Sequence, residues 1–123
     1  MLTGEQLKAC CLEQPAAEET FPFSADLSVF KVAGKVFALC ALDDVPLRIS
    51  LKCVPEVAVK LRIEYPAIIP GYHLNKQHWN TVLIDGSVPD DLVGTLIEDS
   101  YDLVRSKLPK AVRTTLGDVA PGK

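Results

Sequence analysis

Residues 70–80 read Pro-Gly-Tyr-His-Leu-Asn-Lys-Gln-His-Trp-Asn, and they concentrate the chemistry of the chain. Both histidines, both asparagines and the only tryptophan fall within this stretch. Planar rings can stack on a flat ligand, while amides, imidazoles and a lysine can donate to phosphate or carboxylate oxygens. Binding groups gather on loops held by a rigid scaffold, so Tyr72, His73, Asn75, Lys76, His78, Trp79 and Asn80 are candidate contact residues. Each has a plainer alternative. A histidine can bond to backbone and fix a loop's shape, and a tryptophan that begins a strand can cap a core. A second candidate set is Arg105, Lys107, Lys110 and Arg113, four positive charges with no acid until Asp118. Such charges neutralise phosphates, and their number sets how steeply binding falls with salt. Here the alternative is that Arg105 and Lys107 complement the negative end of a helix while Lys110 and Arg113 are solvated.

Other chemistries fit poorly. His73 and His78 are five residues apart, whereas a helical zinc pair uses i and i+4, and on a strand these two would face opposite sides. No metal site is expected. The four cysteines, Cys10, Cys11, Cys40 and Cys53, contain no C-x-x-C pair. Cysteine–histidine catalysis needs a thiol of lowered pKa beside a base; no cysteine is next to a histidine in sequence, though folding could bring Cys53 close to one. Serine-nucleophile elbows, P-loops and glycine-rich dinucleotide turns are absent. The expectation is a protein without catalytic residues or cofactor.

The elements that must position these residues belong to one domain. At 123 residues, 48% apolar and 24% charged, the chain has ordinary globular composition and enough length for its own core. The longest apolar run, Val36 to Leu42, has seven residues, where a membrane-spanning helix needs about 20. No membrane association is expected. The net charge is −3 and the pI near 5.3, against the values above about 9 usual for a general phosphate-backbone binder, so any nucleic-acid contact must be local. Glu5 and Lys8 interrupt any signal-peptide pattern, which predicts a cytoplasmic protein with reduced, buried thiols.

Along the chain, Thr3-Gly4-Glu5-Gln6 reads as a capping box opening a helix that Pro15 ends. Glu18 to Pro22 is a candidate first strand. Leu27 to Val32 and Val36 to Leu42 are strands joined by Ala33-Gly34, and Leu47, Ile49 and Leu51 alternate with Arg48, Ser50 and Lys52 on a half-buried strand. Pro55 opens a helix with Val57, Ala58 and Leu61 on its apolar face, ended by Tyr65-Pro66. Trp79 to Ile84 is another strand. Ser87 is the expected N-cap of a long helix whose apolar period runs from Leu92 to Leu108, stopped by Pro109. The domain is expected to span residues 1–113, with 114–123 as a frayed tail. Short loops between successive strands favour an antiparallel sheet with helices gathered on one face, an α+β architecture.

The stretch from Pro70 to Val82 resembles the signature of the MmcQ/YjbR-like family. Ser100 to Val104, Leu108-Pro109-Lys110, Val29 to Ala38 and Leu51-Lys52-Cys53 fit the same pattern. The resemblance implies small bacterial cytoplasmic proteins with a two-layer sandwich of five or six antiparallel strands, similar to the CyaY (frataxin-like) fold. It also implies DNA binding through a proposed double wing of β-hairpins, and it carries no catalytic residues. Iron handling by analogy with frataxin would want an acidic ridge on the first helix, which here holds only Glu5 and Glu13. The functional expectation is DNA binding through the 70–80 hairpin loop and the basic residues 105–113. The alternative is a non-enzymatic module that binds a protein partner or a small anionic ligand.

Overall fold

Alternating apolar residues on successive short strands dictate a sheet with one wet and one dry face. The computed structural model, which describes residues 1–71 and 74–116, contains that sheet. Helix α1 (Gly4–Leu12) starts at the expected capping box: the Thr3 hydroxyl accepts from the Gln6 N–H, and the Gln6 side chain accepts from the Thr3 N–H. Strands β1 (Ala17–Thr20), β2 (Ser28–Val32), β3 (Lys35–Cys40) and β4 (Arg48–Lys52) follow as an antiparallel meander. Helix α2 (Pro55–Glu64) then crosses to β5 (Ile68–Pro70), and β6 (Trp79–Leu83) returns between β4 and β5. The result is a six-stranded antiparallel sheet of order β1-β2-β3-β4-β6-β5. Helix α3 (Asp90–Ser106) lies across β2, β3 and β4, and a short α4 (Lys110–Thr115) ends the described chain. The architecture is α+β, as expected.

Register explains the core. Phe30 pairs with Ala38, Ala38 with Leu51, Cys40 with Ile49, Ile49 with Val82, and Ile68 with Val82, giving one continuous apolar face. Leu7 and Cys11 of α1 and Val93, Leu96, Ile97 and Tyr101 of α3 are buried with that face in one cluster. Burial of a large apolar side chain contributes about 1.5–3 kcal/mol each, so this cluster is the main source of stability. Polar bonds fix its alignment. Buried Ser100 on α3 donates its hydroxyl to the Phe37 carbonyl (2.6 Å) and accepts from the Lys52 N–H (2.8 Å), tying β3 and β4 to the helix. Tyr101 meets the Phe37 ring edge-on at 5.4 Å and donates its hydroxyl to the Pro15 carbonyl (2.6 Å).

Several boundaries depart from the expectations. Ser87 does not cap α3. Its N–H and hydroxyl both bond to the Asp85 carboxylate, which closes the turn after β6, and Pro89 holds the N-cap position instead. Pro109 likewise occupies the N-cap of α4 rather than stopping α3, whose last residue is Ser106. The first strand begins earlier, at Ala17, and ends at Thr20. Strand β5 lies where the sequence predicts no strand. Of the expected tail, Thr114 and Thr115 are helical, and residues 117–123 lie outside the described residues. Of the cysteines expected to be buried, Cys11 and Cys40 are buried, whereas Cys10 and Cys53 are only partly so. Among the described residues no helix is long and apolar enough to cross a membrane.

Candidate nucleic-acid interface

Strands β5 and β6 form a hairpin, with Pro70 paired to Asn80, so the segment between them is its connection. Gly71 begins it and donates its N–H to the Trp79 carbonyl at 2.8 Å. A Cβ at Gly71 would stand 2.7 Å from the Trp79 Cβ and 3.0 Å from its carbonyl oxygen, so only glycine lets the two arms close this tightly. The loop is held from within and from below. Asn75 accepts from the Trp79 N–H (3.0 Å) with its backbone carbonyl and from the Gln77 N–H (2.9 Å) with its side chain. Arg62 of α2 donates to the Lys76 carbonyl and, through Nε, to Asn80 Oδ1 at 2.8 Å.

Asn80 itself is 3% exposed and sits opposite Leu51 on the apolar face. Its amide nitrogen donates to the Ala58 carbonyl (3.3 Å), so both ends of the side chain are bonded to α2. This satisfies a polar group that would otherwise be costly to bury, and it makes Asn80 the anchor between helix and hairpin. Asn75, Lys76 and His78 are exposed and Trp79 is partly buried. Tyr72 and His73, the other two candidates on this loop, lie outside the described residues.

Asn75, His78 and Trp79 line a recess of about 460 Å³ with Lys52 and Cys53 at the end of β4 and Leu103 and Lys107 on the last turns of α3. Trp79 is the register partner of Lys52, and the Cys53 N–H donates to the His78 carbonyl at 2.7 Å. The predicted basic set is therefore divided. Lys107 joins the loop, while Arg105, Lys110 and Arg113 line a separate recess with Asp102, Ser106 and Thr114. Arg113 Nη1 donates to the Ser106 carbonyl at 3.2 Å, holding α4 against the end of α3. Lys52 and Arg62 were not among the candidates. Lys52 carried a signal, as the last polar position of the alternating strand and a member of the family-like pattern; Arg62 carried none.

Burial, and then the charge of Asp99, push the Cys53 thiol above its ordinary value, so it stays protonated near neutrality and is a poor nucleophile. Among the described residues no three histidines, cysteines or carboxylates are grouped to hold a metal ion. The recess is lined by the lysines Lys52 and Lys107, the His78 imidazole, the Asn75 amide and the Trp79 indole, beside Cys53, Val54, Pro55 and Leu103.

The YjbR family model matches residues 12–103. The chain belongs to the YjbR family. It is 40% identical over 107 residues to the uncharacterized protein YbdF of Escherichia coli O157:H7, covering 86% of this chain and 87% of that protein. It is 34% identical over 115 residues to the uncharacterized protein YjbR of Escherichia coli K12, covering 94% and 98%. The crystal structure of Deinococcus radiodurans protein DR2400, a DUF419 domain, superposes with a TM-score of 0.89 at 46% identity, over 95% of this chain and 89% of that one. A Pseudomonas syringae protein superposes with a TM-score of 0.71 at 29% identity, over 85% and 99%. The span matched by the YjbR family contains Lys52, Cys53, Arg62 and the whole 70–80 loop, and it ends at Leu103, before Arg105, Lys107, Lys110 and Arg113.

Proposed function

We propose that this YjbR-family chain binds DNA at the end of the molecule where α3 finishes beside the β5–β6 hairpin. One observation carries the reading: folding brings Lys52 and Lys107, distant in sequence, into one recess with Asn75, His78 and Trp79. Arg105, Lys110 and Arg113 lie around the same helix end. In a chain of net charge −3, this gathering is what makes local phosphate contact possible. Lysine and arginine side chains supply the phosphate contacts that position a duplex, while Asn75 and His78 offer donors and acceptors to base edges or sugars. Asn80 and Arg62 tie the hairpin and its loop to α2. Localised charge predicts modest affinity that weakens steeply with salt.

The test is fluorescence anisotropy with a labelled duplex, titrated at several salt concentrations, for the wild type and for the combined K76A, R105A, K107A and R113A variant. The wild type binds at low salt, and the variant loses affinity and most of the salt slope, because each phosphate contact contributes about 0.9 to that slope. No wild-type binding at low salt, where screening is weakest, contradicts the reading. So does a variant that binds with unchanged slope.

A further inference from the structure

Helix α2 stands off from α3. Its single buried residue is Ala58, and it is held to the sheet through Asn80 and Arg62, while Val54 and Val57 remain 43% and 46% exposed. Between the two helices lies an open cleft of about 350 Å³, walled by Val57 and Leu61 on one side and Leu96 and Leu103 on the other, with Leu51 and Val82 as its floor. Sites for small molecules have this size and this apolar character, with a few polar groups that set orientation. Here two of those groups are carboxylates, Asp99 and Asp102 of α3.

We propose that this cleft binds a small amphipathic cation: an apolar body lying between α2 and α3, with an amine paired to Asp99 and Asp102. Charge complementarity selects this occupant. Asp99 and Asp102 are three residues apart, hence neighbours on one helical face. Neither carboxylate is in any ion pair formed among the described residues. Among the described residues Lys52 is the only cation lining the cleft; Asp102 also borders the recess of Arg105, Lys110 and Arg113, whereas Asp99 does not. Partial burial, and then the charge of Asp102, hold the Asp99 carboxyl above its usual range. An ammonium group offsets that repulsion, an anionic ligand adds to it, and a neutral one leaves it unchanged. The cleft shares Lys52, Cys53, Val54 and Leu103 with the neighbouring recess but is opposite to it in charge, so this site does not depend on the DNA reading.

The probe is tryptamine, set against 3-propylindole and indole-3-propionate, which keep the ring and replace the amine by a methyl group or a carboxylate. Methyl-region NMR of the full chain reads which side chains respond. Tryptamine shifts the methyl signals of Val57, Leu96 and Leu103 and binds about ten-fold more tightly than either analogue, the advantage expected of one charge-assisted contact. D99N and D102N, exposed and isosteric, remove that advantage, and V57W, which fills the mouth of the cleft, abolishes the shifts. Equal or tighter binding of the propionate overturns the proposal, as does binding unaffected by D99N and D102N, or the absence of any shift in the cleft at millimolar tryptamine.

Discussion

At the scale of single residues, Asn80 shows how a polar side chain can support a site from inside. It interrupts an apolar row, and both ends of its amide are bonded to α2. Replacing it by alanine leaves the Ala58 carbonyl and Arg62 without that partner. N80A is expected to cost about 1–3 kcal/mol in urea denaturation and to loosen the loop that Arg62 also holds. A loss below about 0.5 kcal/mol, within the range of an ordinary surface change, would show that Asn80 is no anchor. The chemistry of Asn80 suggested a contact residue in the sequence, because its neighbours are polar and its burial is visible only once β6 is placed against β4. Cys40 gives a prediction in pH. Burial, and then the charge of Asp44, push its thiol from 9.0 up to about 12. In the unfolded chain that thiol ionises near its ordinary value, while the folded chain keeps the proton. The unfolded state therefore binds fewer protons, and stability falls as pH rises from about 9 towards about 12. Urea midpoints from pH 7 to 10.5 should decline at the alkaline end, and less steeply in C40A. An equally steep decline in C40A would remove Cys40 as the cause.

At the scale of elements, the β2–β3 hairpin is set by its turn. Ala33 and Gly34 both have positive φ, 49° and 80°, as a tight two-residue hairpin turn requires. No atom lies within 4 Å of a Cβ built on Gly34, so G34A meets only the torsional cost, about 1 kcal/mol. Ala33 already bears such a cost, and A33N, which tolerates this conformation better, is expected to raise stability by a few tenths to about 1 kcal/mol. Thermal unfolding of the two variants checks both signs, and a stabilising G34A would refute the assignment of the turn. The elements legible in the sequence were those whose apolar period is long or whose caps are local. The alternation on β4, the apolar run of β3, the capping box of α1 and the stripe along α3 each carry their own signal. Strand β5 was not legible because three residues ending in proline carry no period, and only pairing with β6 makes them a strand. Helix α4 escaped because its six residues bury no side chain. Ser87 misled because a serine before a proline-led helix reads as a cap, and the nearer Asp85 carboxylate takes its bonds instead.

At the scale of the whole molecule, the sheet and α3 bring residues from three separate segments to one end, and the hairpin loop sits where they meet. The 70–80 cluster was legible as a site from its composition. Its company was not: Lys52 and Lys107 are 55 positions apart and meet only because Ser100 fixes α3 over the end of β4. The division of the basic residues between two recesses was equally hidden, since α3 and α4 turn Lys107 away from Arg105, Lys110 and Arg113. The most direct test of the account is amide chemical-shift mapping of the ¹⁵N-labelled chain during titration with a short duplex at low salt. Progressive shifts confined to residues 52–53, 75–79 and 103–113, reversed by added salt, are the expected result. Shifts centred instead on the opposite sheet edge around β1, or no shifts at all, would contradict it.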